Sequence, residues 1–314
     1  MRLARYEHAG TEHLGIVQGG AVRALPAGTE ILELLADPQA RERAAAAADE
    51  PVALGDVRLR APLTPTTLRD FVCFEAHVEG MVKNESPDAV VPADWYEAPT
   101  FYFSSTTAIF GHGDSVEVPP GCQLLDLELE VGIVIGKEGR DIPVERAGEH
   151  IAGFTIYNDF SARDLGAREK RMGLGWAKAK DFANALGPWI VTVDEWEQYR
   201  QGDRYDMELV ASRNGEPLGR DTLANIAWSF AEMIAYASRG AWVRTGDVLG
   251  SGTCASGCLG ELWGRNGRLE PRPLAAGDEV TLSVEGIGQL TNRIVAGAEP
   301  LPVPKAHRRT EVGA

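Results

Sequence analysis

The segment Cys122-Gln-Leu-Leu-Asp-Leu-Glu-Leu-Glu-Val-Gly-Ile-Val-Ile-Gly136 limits what this chain can fold into more than any other. From Leu125 to Ile135 the apolar residues fall on alternate positions. That period of two is the pattern of a β-strand with one buried face. The other face carries Asp126, Glu128 and Glu130, then Gly132. Successive carboxylates on one strand face repel each other unless something positive sits among them. The strand is too apolar for a solvated edge, so Glu128 and Glu130 read as oxygen ligands for a hard cation, Mg²⁺, Mn²⁺ or Ca²⁺. The competing interpretation is an acidic, water-facing strand in an acidic chain.

The residues that follow favour a site. Gly153-Phe-Thr-Ile-Tyr-Asn-Asp-Phe-Ser-Ala-Arg-Asp-Leu165 predicts a strand ending at Asn158-Asp159, with a helix start near Ser161. Asp159 therefore adds a carboxylate from a different element, at a strand end. Lys178-Ala-Lys-Asp-Phe-Ala-Asn-Ala-Leu-Gly-Pro-Trp189 then offers a lysine, a polar loop and a new strand from Trp189 to Val193.

Composition narrows the function classes. A net charge of −15 over 314 residues argues against nucleic acid or an anionic membrane as a partner. No apolar run is long enough to span a bilayer, and Met1-Arg-Leu-Ala-Arg-Tyr lacks a signal-peptide core. Cys73, Cys122, Cys254 and Cys258 have no zinc-site spacing and read as free, packed thiols of a cytoplasmic protein.

Residues 1–65 predict a small module. Its short strands are Arg2 to Tyr6, Leu14 to Val17 and Ala21 to Ala24, followed by a helix at Ile31 to Leu35 and an alanine-rich surface helix or linker at Arg41 to Ala48. Thr67 then reads as the cap of a helix running to Gly80, with Phe71, Phe74 and Val78 on its apolar face. Two turns of such a helix would put Asp70 and His77 on one face. Residues 81–100 read as a mobile loop. The Pro99–Ser105 stretch is aromatic: Phe101 and Phe103 suit core packing, and Tyr102 is open to a second role. Gly113-Asp, Gly246-Asp and Gly277-Asp each read as a turn leading into a strand, which suits a mostly-β domain. Met207 to Ser212 and Glu216 to Arg220 predict a hairpin, and Thr222 to Arg239 one long helix with Ile226, Phe230, Met233 and Ile234 in the core. The glycine-rich Leu249–Gly257 loop has no Gly-Lys-Ser/Thr and is not a P-loop.

The ordered motifs Leu-Leu-Asp-x-Glu-x-Glu, Asn-Asp-x-Ser-Ala-Arg-Asp, and Lys-x-Phe before Gly-Pro-Trp resemble the fumarylacetoacetate hydrolase family across roughly residues 66 to 300. The resemblance implies an α+β, mostly-β fold: a mixed β-roll catalytic domain over 66–300, after the N-terminal α/β module of 1–65 and before a loose tail at 301–314. It further implies a homodimer. It gives Asp70, Glu128, Glu130 and Asp159 to a divalent metal and makes His77 the general base. Glu261 would orient that base, with Glu75 and Glu79 as alternatives and a plain strand-face acid as the competing interpretation of Glu261. Arg163 and Lys180 would lie near the substrate oxyanion and carboxylate, Tyr102 against substrate, and Thr253 beside a keto-acid carboxylate.

The implied reaction is cleavage of a C–C bond in a β-diketo acid of the acylpyruvate or fumarylacetoacetate type, with a metal-steadied enolate and water activated by His77. Two positions depart from the family pattern. Gly166 stands where a glutamine commonly serves the oxyanion hole, and Asn184 where a threonine often follows the lysine. The first departure points to a runner-up: keto-acid decarboxylation, isomerisation or dehydration at the same metal. A third expectation, from another class, is a metal-stabilised binding protein without catalysis.

Overall fold

Alternating and continuous apolar runs assemble a twelve-stranded mixed sheet in the computed structural model, which describes residues 1–307. Its path runs Pro51–Ala53, Ala21–Ala24, Thr11–Gln18, Arg2–His8, Asn184–Thr192, Ile151–Asp159, Leu129–Ile135, Val248–Gly250, Leu68–Phe71 and Phe101–Ser104. Most neighbours are antiparallel, but Val248–Gly250 lies parallel to Leu68–Phe71, placing Gly250 opposite Asp70. A second sheet of five strands orders Glu216–Thr222, Glu208–Arg213, Glu279–Val284, Gly288–Val295 and Ser115–Glu117. One apolar cluster joins the two sheets, including Val131, Ile133, Phe154, Trp196, Leu282, Leu290 and Ile294. Phe154 and Trp196 stack with ring centroids 3.8 Å apart. The architecture is the expected mostly-β α+β fold, with a small N-terminal α/β module.

That module contains the three strands its sequence suggests and the helices Ile31–Ala36 and Pro38–Ala46, with two further short strands, Pro51–Ala53 and Arg58–Arg60. It shares the main sheet: Arg2 and Leu3 pair with Val191 and Ile190. The three Gly-Asp turns are also present, with φ of +81° at Gly113, +85° at Gly246 and +97° at Gly277, a region open to glycine at little cost.

Three expectations change. The strand foreseen from Leu125 to Ile135 is two strands, Leu125–Asp126 and Leu129–Ile135, buried on both faces. Asp126 Oδ1 takes the Leu127 N–H and Asn158 Oδ1 takes the Glu128 N–H, so side chains replace the ladder at the break. The acidic face meets a cavity and not bulk water.

The helix from Thr67 to Gly80 is instead the strand Leu68–Phe71 followed by the helix Glu75–Val82. Pairing on both edges, to Val248–Gly250 and Phe101–Ser104, overrides the local helical pattern. Asp70 and His77 therefore share no helix face, and Thr67 caps nothing.

The helix expected from Thr222 is shorter, Phe230–Ser238. Ser229 and Glu232 form a reciprocal capping box that fixes its start, and Glu216–Thr222 is the outer strand of the hairpin. Among the described residues no helix is long and apolar enough to cross a membrane, and the four cysteines are free. The tail foreseen at 301–314 lies in part outside the described residues.

Candidate metal and catalytic site

Adjacent strands of the main sheet end or break around one cavity of about 320 Å³. Leu68–Phe71 brings Asp70, Leu129–Ile135 and the break before it bring Glu130 and Glu128, and Ile151–Asp159 ends on Asp159. All four carboxylates are buried. A strand needs no side chain at Gly250, and here none fits: a Cβ would lie 2.7 Å from both Asp70 Oδ1 and Glu130 Oε2.

Lys180 donates to Glu128, and to Asp159 Oδ2 at 2.6 Å. Arg163, at the start of the helix Arg163–Met172, donates to Glu128 Oε1 at 2.7 Å and to Asp126 Oδ2 at 2.8 Å. Tyr102 donates to Asp70 at 2.5 Å and also reaches Asp159. Glu130 accepts the Gly252 N–H at 2.9 Å, with Thr253 Oγ1 at 3.5 Å. The glycine-rich loop thus turns one of its amides on Glu130.

Charge is unevenly matched. Burial, with Asp159 nearby, pushes the Asp70 carboxyl well above the usual carboxylate range, and burial with Asp70 nearby does the same to Glu130. Burial works in the same direction on Glu128, but Arg163 and Lys180 outweigh it and hold that carboxyl low. Burial opposes the Lys180 charge, yet Asp159 and Glu128 raise its pKa. The phenol of Tyr102 is pushed up by burial and then by Asp159 and Asp70.

This donor set fits a hard divalent cation. Asp70, Glu128 and Glu130 each offer an oxygen, all within 4.8 Å of one another. Asp70 Oδ1 and Asp159 Oδ1 are buried with no hydrogen-bond partner, an arrangement that is costly without a cation.

His77 stands on the cavity wall from the helix Glu75–Val82. Behind it, Glu261 on the helix Leu259–Asn266 is wholly buried, with Oε2 3.2 Å from His77 Nδ1. Ser256 N and Arg265 hold the other oxygen, at 2.8 and 2.6 Å. Of the alternatives, Glu75 bonds Tyr96 and Glu79 bonds Lys83.

The ten residues singled out from the sequence therefore converge. Asp70, His77, Tyr102, Glu128, Glu130, Arg163, Lys180 and Thr253 line the cavity; Asp159 and Glu261 contact that lining. Glu261 is a helix residue and not a strand-face acid. Asn184 sits deeper, accepting from Tyr157 at 2.7 Å and Ser104 at 3.0 Å.

Sequence reasoning missed three participants. Asp126 caps the Glu261 helix, taking the Leu259 and Gly260 N–H groups at 2.7 and 2.8 Å. Cys258, the residue before that helix, lies 3.8 Å from His77 Nδ1; burial raises its thiol pKa. Trp176, in an irregular loop with no periodic signal, lines the cavity.

Comparisons with known proteins follow the same outline. Residues 66–295 match the family described as fumarylacetoacetate (FAA) hydrolase C-terminal, and residues 1–62 match Rv2993c-like, N-terminal. The chain is 30% identical over 245 residues to oxaloacetate tautomerase YisK of Bacillus subtilis (strain 168), across 77% of this chain and 74% of that protein. The fumarylacetoacetate hydrolase of Exiguobacterium antarcticum superposes with a TM-score of 0.72 at 26% identity, over 95% of this chain and 100% of that one. A 5-carboxymethyl-2-hydroxymuconate delta-isomerase from Mycobacterium smegmatis does so with a TM-score of 0.70, at 26% identity and the same coverage of 95% and 100%.

Proposed function

The chain belongs to the fumarylacetoacetate hydrolase family, and from that premise we propose a divalent-metal-dependent hydrolase that cleaves a C–C bond of a β-diketo acid of the acylpyruvate type. Asp70, Glu128, Glu130 and Asp159 would hold Mg²⁺, Mn²⁺ or Ca²⁺, which when bound supplies Lewis acidity toward the oxygens of a keto acid.

The observation that carries this reading is the buried pairing of Glu261 with His77 on the wall of the carboxylate cavity. Glu261 faces Nδ1, so Nδ1 carries the proton and Nε2 is left to accept one from water. Water then adds to the acyl carbon, and the bond from that carbon to the methylene breaks. The electron pair passes to the methylene carbon, which takes up a proton. The products are a carboxylic acid and a 2-oxo acid. Arg163 and Lys180 supply fixed positive charge beside the reacting oxygens, Tyr102 and Thr253 contact substrate, and the working unit is a homodimer.

A second reading is a proton shift or decarboxylation at the same cation, with no attack by water. Gly166 favours it, since that position has no side-chain donor for an oxyanion, and a relative named a tautomerase is consistent with it.

A screen with Mg²⁺ or Mn²⁺ against acylpyruvates and oxaloacetate separates the two. Release of pyruvate from an acylpyruvate supports hydrolysis. Enol–keto interconversion or CO₂ release from oxaloacetate, with acylpyruvate untouched, makes the second reading first. Tight binding without turnover of any of them would point to a binding protein.

A further inference from the structure

The space beside Gly166 that a side chain would need is already occupied. Gly166 sits in the Arg163–Met172 helix and is buried. A Cβ there would come within 2.3 Å of Trp176 Cζ3 and 3.1 Å of Ala179 Cβ. The indole edge of Trp176 thus rests against the bare helix backbone, in the space a longer side chain would need.

One turn further along the same helix, Glu169 fastens the loop that carries the indole. Its carboxylate accepts the N–H of Ala177 at 2.9 Å, of Lys178 at 2.6 Å and of Ala179 at 3.3 Å. A second tie from this helix, Lys170 to Glu85, crosses to the chain beyond the His77 helix. Trp176 is therefore held in place and not merely near the cavity.

The wall it completes is apolar. Val72, Val78, Met81 and Phe101 line the cavity with it. The permanent cations among the lining residues are Arg163 and Lys180, and both are engaged by carboxylates of the site. A carboxylate at the far end of a substrate would meet hydrocarbon and lose its water without a partner. A short alkyl or aryl end would gain by the same contact.

We propose that Trp176, seated on Gly166 and clipped by Glu169, is the specificity wall of this cavity, and that the substrate is a 2-oxo or 2,4-dioxo monocarboxylate with an apolar far end. This deepens the proposed function and rests on its keto-acid reading; it is independent of whether water attacks.

The test reads binding, by calorimetry on the full chain with saturating Mg²⁺, and not turnover. The two ligands are 2-oxohexanoate and 2-oxoadipate, equal in carbon count and different only at the far end. The parent should bind 2-oxohexanoate at least ~10-fold more tightly. Trp176→Ala should weaken 2-oxohexanoate by ~10-fold and change 2-oxoadipate far less, which erases the preference. Trp176→Phe should keep the preference, and Glu169→Gln should fall between. Circular dichroism and metal content check that each variant is folded and loaded; if Trp176→Ala does not fold, the parent's own preference and Trp176→Leu decide.

A parent that favours 2-oxoadipate, or binds the two alike, overturns the proposal. So does a Trp176→Ala variant that weakens both ligands equally, the mark of a merely structural role. Acylpyruvate hydrolysis is measured on the same preparations. Discrimination without hydrolysis upholds the wall and removes the hydrolase reading; hydrolysis without discrimination does the reverse. A parent that binds neither ligand overturns the proposal, and its acylpyruvate hydrolysis alone then decides the hydrolase reading.

Discussion

Glu261 Oε2 lies 3.2 Å from His77 Nδ1 across 184 residues of sequence, and the glutamate has no exposure to water. In the proposed mechanism this carboxylate orients the ring and keeps the proton on Nδ1. His77→Ala should therefore lose hydrolysis of an acylpyruvate by about 10²–10⁴-fold while keeping its metal. Decarboxylation of a chelated keto acid needs no base for water and should survive the change much better. Rates for both substrates on one preparation, with metal content measured alongside, decide it. Parental hydrolysis in the variant would make His77 a bystander.

Removing a carboxylate from the cluster should remove the cation. Glu128→Ala and Asp159→Ala are each expected to abolish divalent-metal binding and activity together, and a chelator should do the same reversibly. Glu128→Ala also strips Arg163 and Lys180 of a shared partner, so a folding check by circular dichroism accompanies it. Elemental analysis that finds full occupancy in both variants would sink the assignment.

Gly250→Ala tests the cradle without replacing any of its carboxylates. The added methyl would lie 2.7 Å from an oxygen of Asp70 and from one of Glu130, forcing the carboxylates apart. Metal affinity should fall at least ~10-fold with the fold retained, since atoms cannot approach that closely without displacement. Calorimetric titration with Mn²⁺ at unchanged affinity would refute it.

Away from the site, Asp278 gives a pH dependence. Arg272 grips it at 2.7 and 2.8 Å, and Asn214 Nδ2 and the Ala275 N–H each donate at 2.9 Å. The Arg272 bonds, against an opposing push from burial, hold this carboxyl below the usual carboxylate range. Its folded-state pKa is thus lower than the unfolded value of about 3.9. The stabilisation is fully present above that value and is lost as pH falls through the folded-state pKa. Asp278→Asn should cost on the order of 1–3 kcal/mol at pH 7, toward the lower end because Arg272 is more than half exposed. The gap between variant and parent should narrow below about pH 4. Urea unfolding at pH 7 and pH 3 reads it, and a gap that widens in acid would be the wrong sign.

Much of this architecture was legible in the chain because its signals are local. The alternation after Leu125 and the Gly-Asp turns each declare a strand within a few residues, and the motif order pointed to the ten residues that line or contact the cavity. What was illegible depends on distant partners. Leu68–Phe71 looks helical until Val248–Gly250 and Phe101–Ser104 claim its edges. Nothing near Trp176 announces that it will rest on Gly166, because that contact exists only after the loop closes on Glu169. The Ser229–Glu232 capping box was visible and would have trimmed the long helix to its true start.

The parallel pairing of Leu68–Phe71 with Val248–Gly250 has a consequence for how the protein comes into being. The strand that bears Asp70 leaves the ribosome long before its parallel neighbour is made, and His77 waits longer still for Glu261. Closing so wide a loop must precede any gain from the contacts it brings. The cavity is therefore a late product of folding: a chain cut short before Glu261 would leave His77 without the carboxylate that faces its Nδ1.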